Sequence, residues 1–278
     1  MCRNCYTLFD ALFSVYLVTF TRIIQFSSMS TLPKKSIATS HSGWVKITHW
    51  LGTISFIFLL ITGIEIIMVH PRFYWGNVGN DLTPALFELP ISRNYQHGGW
   101  ENTQPFFTSG SSPVSASRTY DIFNQNGWGR SLHFLSAWVL VITGIIYLLT
   151  ALYTKHVQRN ILPRKNELRY KLLYKDIADH LRMQIAFLKG PQYGLLQKIS
   201  YSVVLFFLLP VIVLTGLTMS PAVTASCPFL LTMFFGAQSA RTIHFFASAL
   251  LVLFLIIHIV MIIRSGFKKH MMAMTIES

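Results

Sequence analysis

Apolar residues run along this chain in four long blocks, not in the short alternations of a soluble domain. Each block is close to the length of about 20 residues that an α-helix needs to cross the hydrocarbon core of a bilayer. The predicted spans are 44–69 (WVKITHWLGTISFIFLLITGIEIIMV), 131–153 (SLHFLSAWVLVITGIIYLLTALY), 199–220 and 242–263. Pro210 lies inside the third span and predicts a kink there, because it removes an N–H from the ladder and crowds the preceding turn. The stretch 70–130 is polar and rich in Gly, Pro, Ser and aromatic residues, and 154–198 is basic and predicts a surface helix. The expected fold class is an all-α integral membrane protein: a four-transmembrane-helix bundle over 41–275, with a long loop between helices 1 and 2. An arm, 1–40, precedes it.

Residues 1–28 sit outside this plan. YTLFDALFSVYLVTF is apolar but short for a span, and it lacks the small-residue cleavage site of a signal peptide. Met29 opens MSTLPKKS, which would be an ordinary cytoplasmic start. The stretch reads either as an interfacial helix or as sequence ahead of a mis-set start. A fifth span would instead put residue 1 outside.

Composition supports the membrane reading, with 52% of residues hydrophobic and only 12% charged, against about 25% charged in soluble domains. A net charge of +13 raises the question of nucleic acid, and the placement of the cations answers it. Eighteen of the 23 Lys and Arg lie in the arm, at the start of the first span (Lys46), in 154–198 and after the last span, whereas five (Arg72, Arg93, Arg118, Arg130, Arg241) lie in the 70–130 loop or just before the fourth span. That asymmetry is the positive-inside pattern. It places both termini in the cytoplasm and the 70–130 loop outside, and it suits anionic lipid without invoking nucleic acid. Cys2 and Cys5 form C-x-x-C with no following His, so they are no covalent haem attachment site. Cys227 reads as a small apolar filler.

Of ten histidines, four fall inside predicted spans: His49, His133, His244 and His258. Ionisable residues in the bilayer are costly and usually functional. His244 and His258 lie fourteen residues apart, which is about 40° short of four whole turns and a rise of ~21 Å. They share one helix face at two depths. With the orientation above, His133 and His244 meet at the outer depth, His49 and His258 at the inner one. Two imidazoles at one depth are the axial ligand set of a b haem, and helix bundles hold cofactors by side chains projecting inward from facing helices. The expectation is two b haems. A proton relay in a transporter needs no such pairing.

Smaller features agree. Gly63 lies fourteen residues after His49, at the outer depth, where a missing side chain admits a flat macrocycle. Thr-Gly recurs at 62–63, 143–144 and 215–216. Close packing between membrane helices uses the same small residues. Arg130 and Arg241 each precede an outer histidine by three residues, where guanidiniums would meet haem propionates. Lys46 precedes His49 by three and Arg264 follows His258 by six, a comparable inner placement. Snorkelling charges would occupy the same positions.

At this point the chain resembles the bacterial cytochrome b561 and nickel-hydrogenase b-type cytochrome superfamily, through ITHW (47–50), GRSLHF (129–134), QKISYS (197–202), LTGLTMS (214–220) and QSARTIHF (238–245) with His258 beyond. HPRFYWG (70–76) resembles the thiosulfate reductase-like branch, whose members often accompany a periplasmic molybdenum enzyme of the sulfite oxidase type. The resemblance implies two b haems, a quinone site and a partner subunit. By position Lys46, His49, Gln197, Lys198 and Tyr201 gather at the inner depth, and Gln197 and Tyr201, one turn apart, suit a quinone carbonyl. Interfacial polar anchors would look the same.

No nucleotide-binding fingerprint, nucleophile elbow or iron–sulfur cysteine cluster accompanies these features. The expected function is a di-haem membrane subunit carrying electrons between quinone or quinol and a periplasmic partner oxidoreductase. A stand-alone b561-type quinone oxidoreductase and a hydrogenase b-type subunit are the alternatives. Trp75, Trp100 and Trp128 in and beside the outer loop mark the expected docking face or haem lid.

Overall fold

A computed structural model describes residues 14, 42–79, 83–91, 126–157, 161–163, 167–168, 170–181 and 194–275. The expectations for 1–28, for Cys2 and Cys5, and for Trp100 fall outside these residues. The described elements are α1 (Gly43–Val69), β1 (Arg72–Phe73), β2 (Phe87–Glu88), α2 (Asn126–Tyr153), α3 (Tyr170–Leu181) and α4 (Leu195–Val203). They continue with a π-helical turn (Val204–Leu208), α5 (Leu209–Thr218), α6 (Pro221–Ser226), α7 (Phe229–Met233) and α8 (Ala237–Met274). Four helical stretches, 43–69, 128–153, 195–218 and 237–268, are long and apolar enough to cross a membrane. All four coincide with the predicted spans.

These helices keep most of their apolar surface outward. Ile47, Leu135, Leu149 and Ile263 are each about 60% exposed or more (62%, 61%, 63% and 59%), which in water would be a large penalty and in lipid is none. Several of their hydroxyls are satisfied within their own helices. Thr62 donates to Phe58 O at 2.7 Å, Thr218 to Leu214 O at 2.8 Å and Ser265 to Met261 O at 2.7 Å, the i−4 pattern that spares a hydroxyl its desolvation cost.

The third stretch shows how Pro210 is accommodated. Its ring crowds the carbonyl four residues back and it has no N–H. The turn before it widens to a π-helix over Val204–Leu208, with Leu209 N–H bonding to Val204 O, a local answer to an interrupted ladder. In α8 the backbone breaks at Gly266, which takes φ 110° and ψ 81°, a region open to glycine.

The chain forms two compact units. The first comprises 1–46, 147–212 and 246–278. Its core is Ala151, Val157, Ile161 and Leu162, covered by Trp44, Tyr147, Leu152, Tyr201, Leu205 and Phe206. Buried Lys198 pairs with Glu167 at 2.8 Å, and Asp176 accepts the Leu196 N–H at 2.7 Å at the start of α4. The basic segment thus pins its helix to the third span by charge-assisted bonds.

The second unit comprises 47–146 and 213–245. Here β1 and β2 pair antiparallel, Arg72 opposite Glu88 and Phe73 opposite Phe87. Both cross-strand pairs are used: an ion pair at 3.5 Å and a ring stack at 4.6 Å and 11°. A two-residue hairpin is marginal alone. Phe245 of α8 supplies the support, with its ring 4.5 Å from Phe73 and 5.9 Å from Phe87.

Candidate haem site

His133 on α2 and His244 on α8 come together within the second unit. Their ring centres are 6.4 Å apart, with the planes at 59°. A metal ion midway between two imidazole nitrogens, each about 2 Å from it, sets the ring centres about 6 Å apart. The spacing has room for a metal between the rings, and it also falls within the range of tilted ring packing. Two imidazoles from facing helices are donors of the type that a b haem takes, and the residues fit the group.

Each ring is held at Nδ1 by a threonine. His133 Nδ1 lies 2.9 Å from Thr62 Oγ1 of α1, and His244 Nδ1 lies 3.0 Å from Thr215 Oγ1 of α5. The following glycines complete each cradle. A Cβ at Gly63 would stand 3.8 Å from His133 Cε1, and one at Gly216 would stand 3.5 Å from His244 Cε1. Gly63, expected to face a macrocycle, lies beside the edge of the His133 ring. The third Thr-Gly pair differs: nothing lies within 4 Å of a Cβ at Gly144.

The N-terminal end of α8 is clamped by the HPRFYWG stretch. Gly76 O accepts from Gln238 N–H at 3.0 Å and Ser239 N–H at 3.3 Å, two of the amides that a helix start leaves without an intrahelical partner. Gly76 N–H donates to Ser239 Oγ at 2.6 Å, and Thr242 Oγ1 donates to Tyr74 O at 2.8 Å. Arg241 donates to His70 O and lies 5.6 Å over the Phe73 ring. Arg241, expected beside propionates, is thus engaged with the loop. Arg130 is exposed at the start of α2. Trp75 stacks on Phe235 at 6.1 Å, and both rings are exposed.

The inner residues are placed as follows. His49 is exposed on α1, with its carbonyl accepting from Thr53 at 2.8 Å and its ring edge-on to Trp50 at 5.8 Å. In the first unit, His258 stacks on Phe254 at 5.7 Å and meets the edge of Tyr201 at 6.1 Å. Gln197 Oε1 accepts from Gly194 N–H at 3.1 Å and caps α4. Buried Lys46 donates to Thr275 O at 2.6 Å. Tyr201 is brought to His258, while the other two are engaged with backbone at helix ends. Arg264 is exposed on α8.

One buried carboxylate escaped the sequence reading. Glu65 is 1% exposed on α1, one turn beyond Thr62, with its Oε2 where a Cβ at Gly129 would come within 2.0 Å. Its signal was plain, an acid inside a predicted span.

Four membrane-compatible helices and an imidazole pair at metal-bridging distance describe a haem-binding membrane protein. Residues 40–275 match the family of prokaryotic cytochrome b561, and the chain belongs to that family: a multi-pass membrane haem b protein of electron transport. It is 24% identical over 228 residues to a protein of Azospira oryzae provisionally described as a protein-methionine-sulfoxide reductase subunit, YedZ1. The match covers 82% of this chain and 92% of that relative. No solved structure matches the chain.

Proposed function

We propose that this chain conducts electrons between the quinone pool and a periplasmic oxidoreductase partner, through two b haems. The observation that carries the reading is the His133–His244 pair, with ring centres 6.4 Å apart and each Nδ1 beside a threonine. Nε2 of each ring is then the ligand for an outer haem. Haem b supplies reversible one-electron transfer when bound. His49 and His258 are proposed for an inner haem on the sequence register: His258 lies fourteen residues beyond His244, and His49 fourteen before Gly63. Tyr201, beside His258, is the residue best supported for quinone. Lys46 and Gln197 keep α1 and α4 in place around it.

The relative's description favours a partner that reduces methionine sulfoxide in proteins, with electrons then drawn outward from quinol. That the partner is a molybdenum enzyme on the outer face rests on the resemblance carried by HPRFYWG (70–76). Direction follows the couple: inward flow works against the membrane potential at ~2.3 kcal/mol per electron per ~100 mV, and outward flow runs with it.

The test is a dithionite-reduced minus oxidised spectrum of the purified chain, with haem quantified. Two b haems are expected, falling to at most one on His244→Ala. A protein without b-type bands, or one keeping both haems after that substitution, would overturn the reading. Co-purification of an outer molybdenum subunit separates the conduit from a stand-alone quinone oxidoreductase.

A further inference from the structure

The same dipeptide performs the same task twice. Thr62-Gly63 of the first span cradles His133 of the second, and Thr215-Gly216 of the third cradles His244 of the fourth. In both, the threonine oxygen meets Nδ1 and the glycine lies under Cε1. Helical packing alone gives no reason for one ring atom to meet one residue type in two unrelated helix pairs.

At Thr62 the polarity can be assigned. A hydroxyl has one proton, and that of Thr62 goes to Phe58 O at 2.7 Å. With that proton so placed, its oxygen is open to accept from His133 Nδ1, whose ring also meets the Leu59 backbone, and an imidazole with its hydrogen on Nδ1 presents the Nε2 lone pair. We propose that Thr62 and Thr215 are positioning residues that fix tautomer and ring plane of the two axial histidines of the outer haem. This rests on His133 and His244 being its ligands.

The chemistry of the acceptor matters as much as its position. Ligating histidines commonly donate their second N–H to a carboxylate or a carbonyl, and a carboxylate raises ligand basicity. A neutral hydroxyl, already committed to its own helix, polarises the ring weakly. It also avoids burying a charge at the ligand. The pair thus holds the rings at a set angle, 59° between planes, while leaving the imidazoles close to neutral donors. Valine has the shape of threonine without the acceptor, so Thr→Val isolates this role.

The experiment uses the full chain purified with its haem. Thr62→Val and Thr215→Val are expected to shift the midpoint potential of one haem and the low-field g value of its low-spin ferric signal, leaving the other haem unchanged. Thr62→Ser and Thr215→Ser should return both readouts to wild type. Thr143→Val, the third Thr-Gly pair, should alter neither. Loss of one haem in the Val variants with retention in the Ser variants supports the same assignment. Wild-type potential and g value in both Val variants would overturn it, as would equal haem loss in Val and Ser variants. His133→Ala retaining both haems with unchanged potentials would instead overturn the ligand reading beneath it.

Discussion

At the scale of single residues, the second unit is organised around groups that would be costly in lipid unless received by a neighbour. Glu65 is the buried carboxylate among them. Its carboxylate occupies the space that a side chain at position 129 would need, with 2.0 Å left for a Cβ. Gly129→Ala gains helix propensity worth up to about 1 kcal/mol but forces an overpacked contact that costs about 1–3 kcal/mol. The net expectation is destabilisation, seen as a lowered thermal midpoint of the detergent-solubilised protein. In a Glu65→Ala background the obstruction is gone, and the same substitution should become neutral or stabilising. A double-mutant cycle measures that change of sign. Equal cost in both backgrounds would rule out the carboxylate as the cause.

At the scale of elements, the start of α8 is capped by another part of the chain. Gly76 O takes the amides of Gln238 and Ser239 and can approach only because Gly236 has no side chain. A Cβ there would fall 2.4 Å from that carbonyl. Gly236 also has φ +115°, as Gly76 has φ +95°. Alanine at either position incurs backbone strain of about 1–3 kcal/mol. Only Gly236→Ala also displaces the cap. Gly236→Ala should therefore lower the thermal midpoint more than Gly76→Ala and lower haem content with it, because His244 lies two turns along the same helix. Equal effects of the two substitutions would argue that φ strain, and not the cap, is what matters. Trp75 and Phe235, stacked beside this junction, follow from the same meeting of loop and helix.

At the scale of the whole molecule, the cations define a proposed orientation with both termini in the cytoplasm. Fusing a fluorescent protein to the C-terminus should give a fluorescent membrane fraction, and alkaline phosphatase at the same point should be inactive. Phosphatase fused within 70–125 should be active. The reverse pattern would exchange the inner and outer haem sites. It would also move Tyr201 to the outer face.

The sequence by itself determined what depends on one-dimensional arithmetic. Four apolar blocks of bilayer length became the four helices, and histidines fourteen residues apart in 242–263 share one face of α8. The charge asymmetry and the kink-forming Pro210 were legible in the same way, since each acts through neighbours a turn or less away. The tertiary structure decided who meets whom. Thr62 and His133 are 71 residues apart and Thr215 and His244 are 29 apart. No periodicity says that these hydroxyls, and not those of Thr143, receive the rings. Arg241 and Gly63 could be ranked by depth, yet depth leaves their direction around the helix to be set by packing. Arg241 went to His70 O, and Gly63 to His133. Spacing along a helix fixes height and face, while a long-range contact depends on which neighbour that face is packed against, and only the folded chain supplies the neighbour.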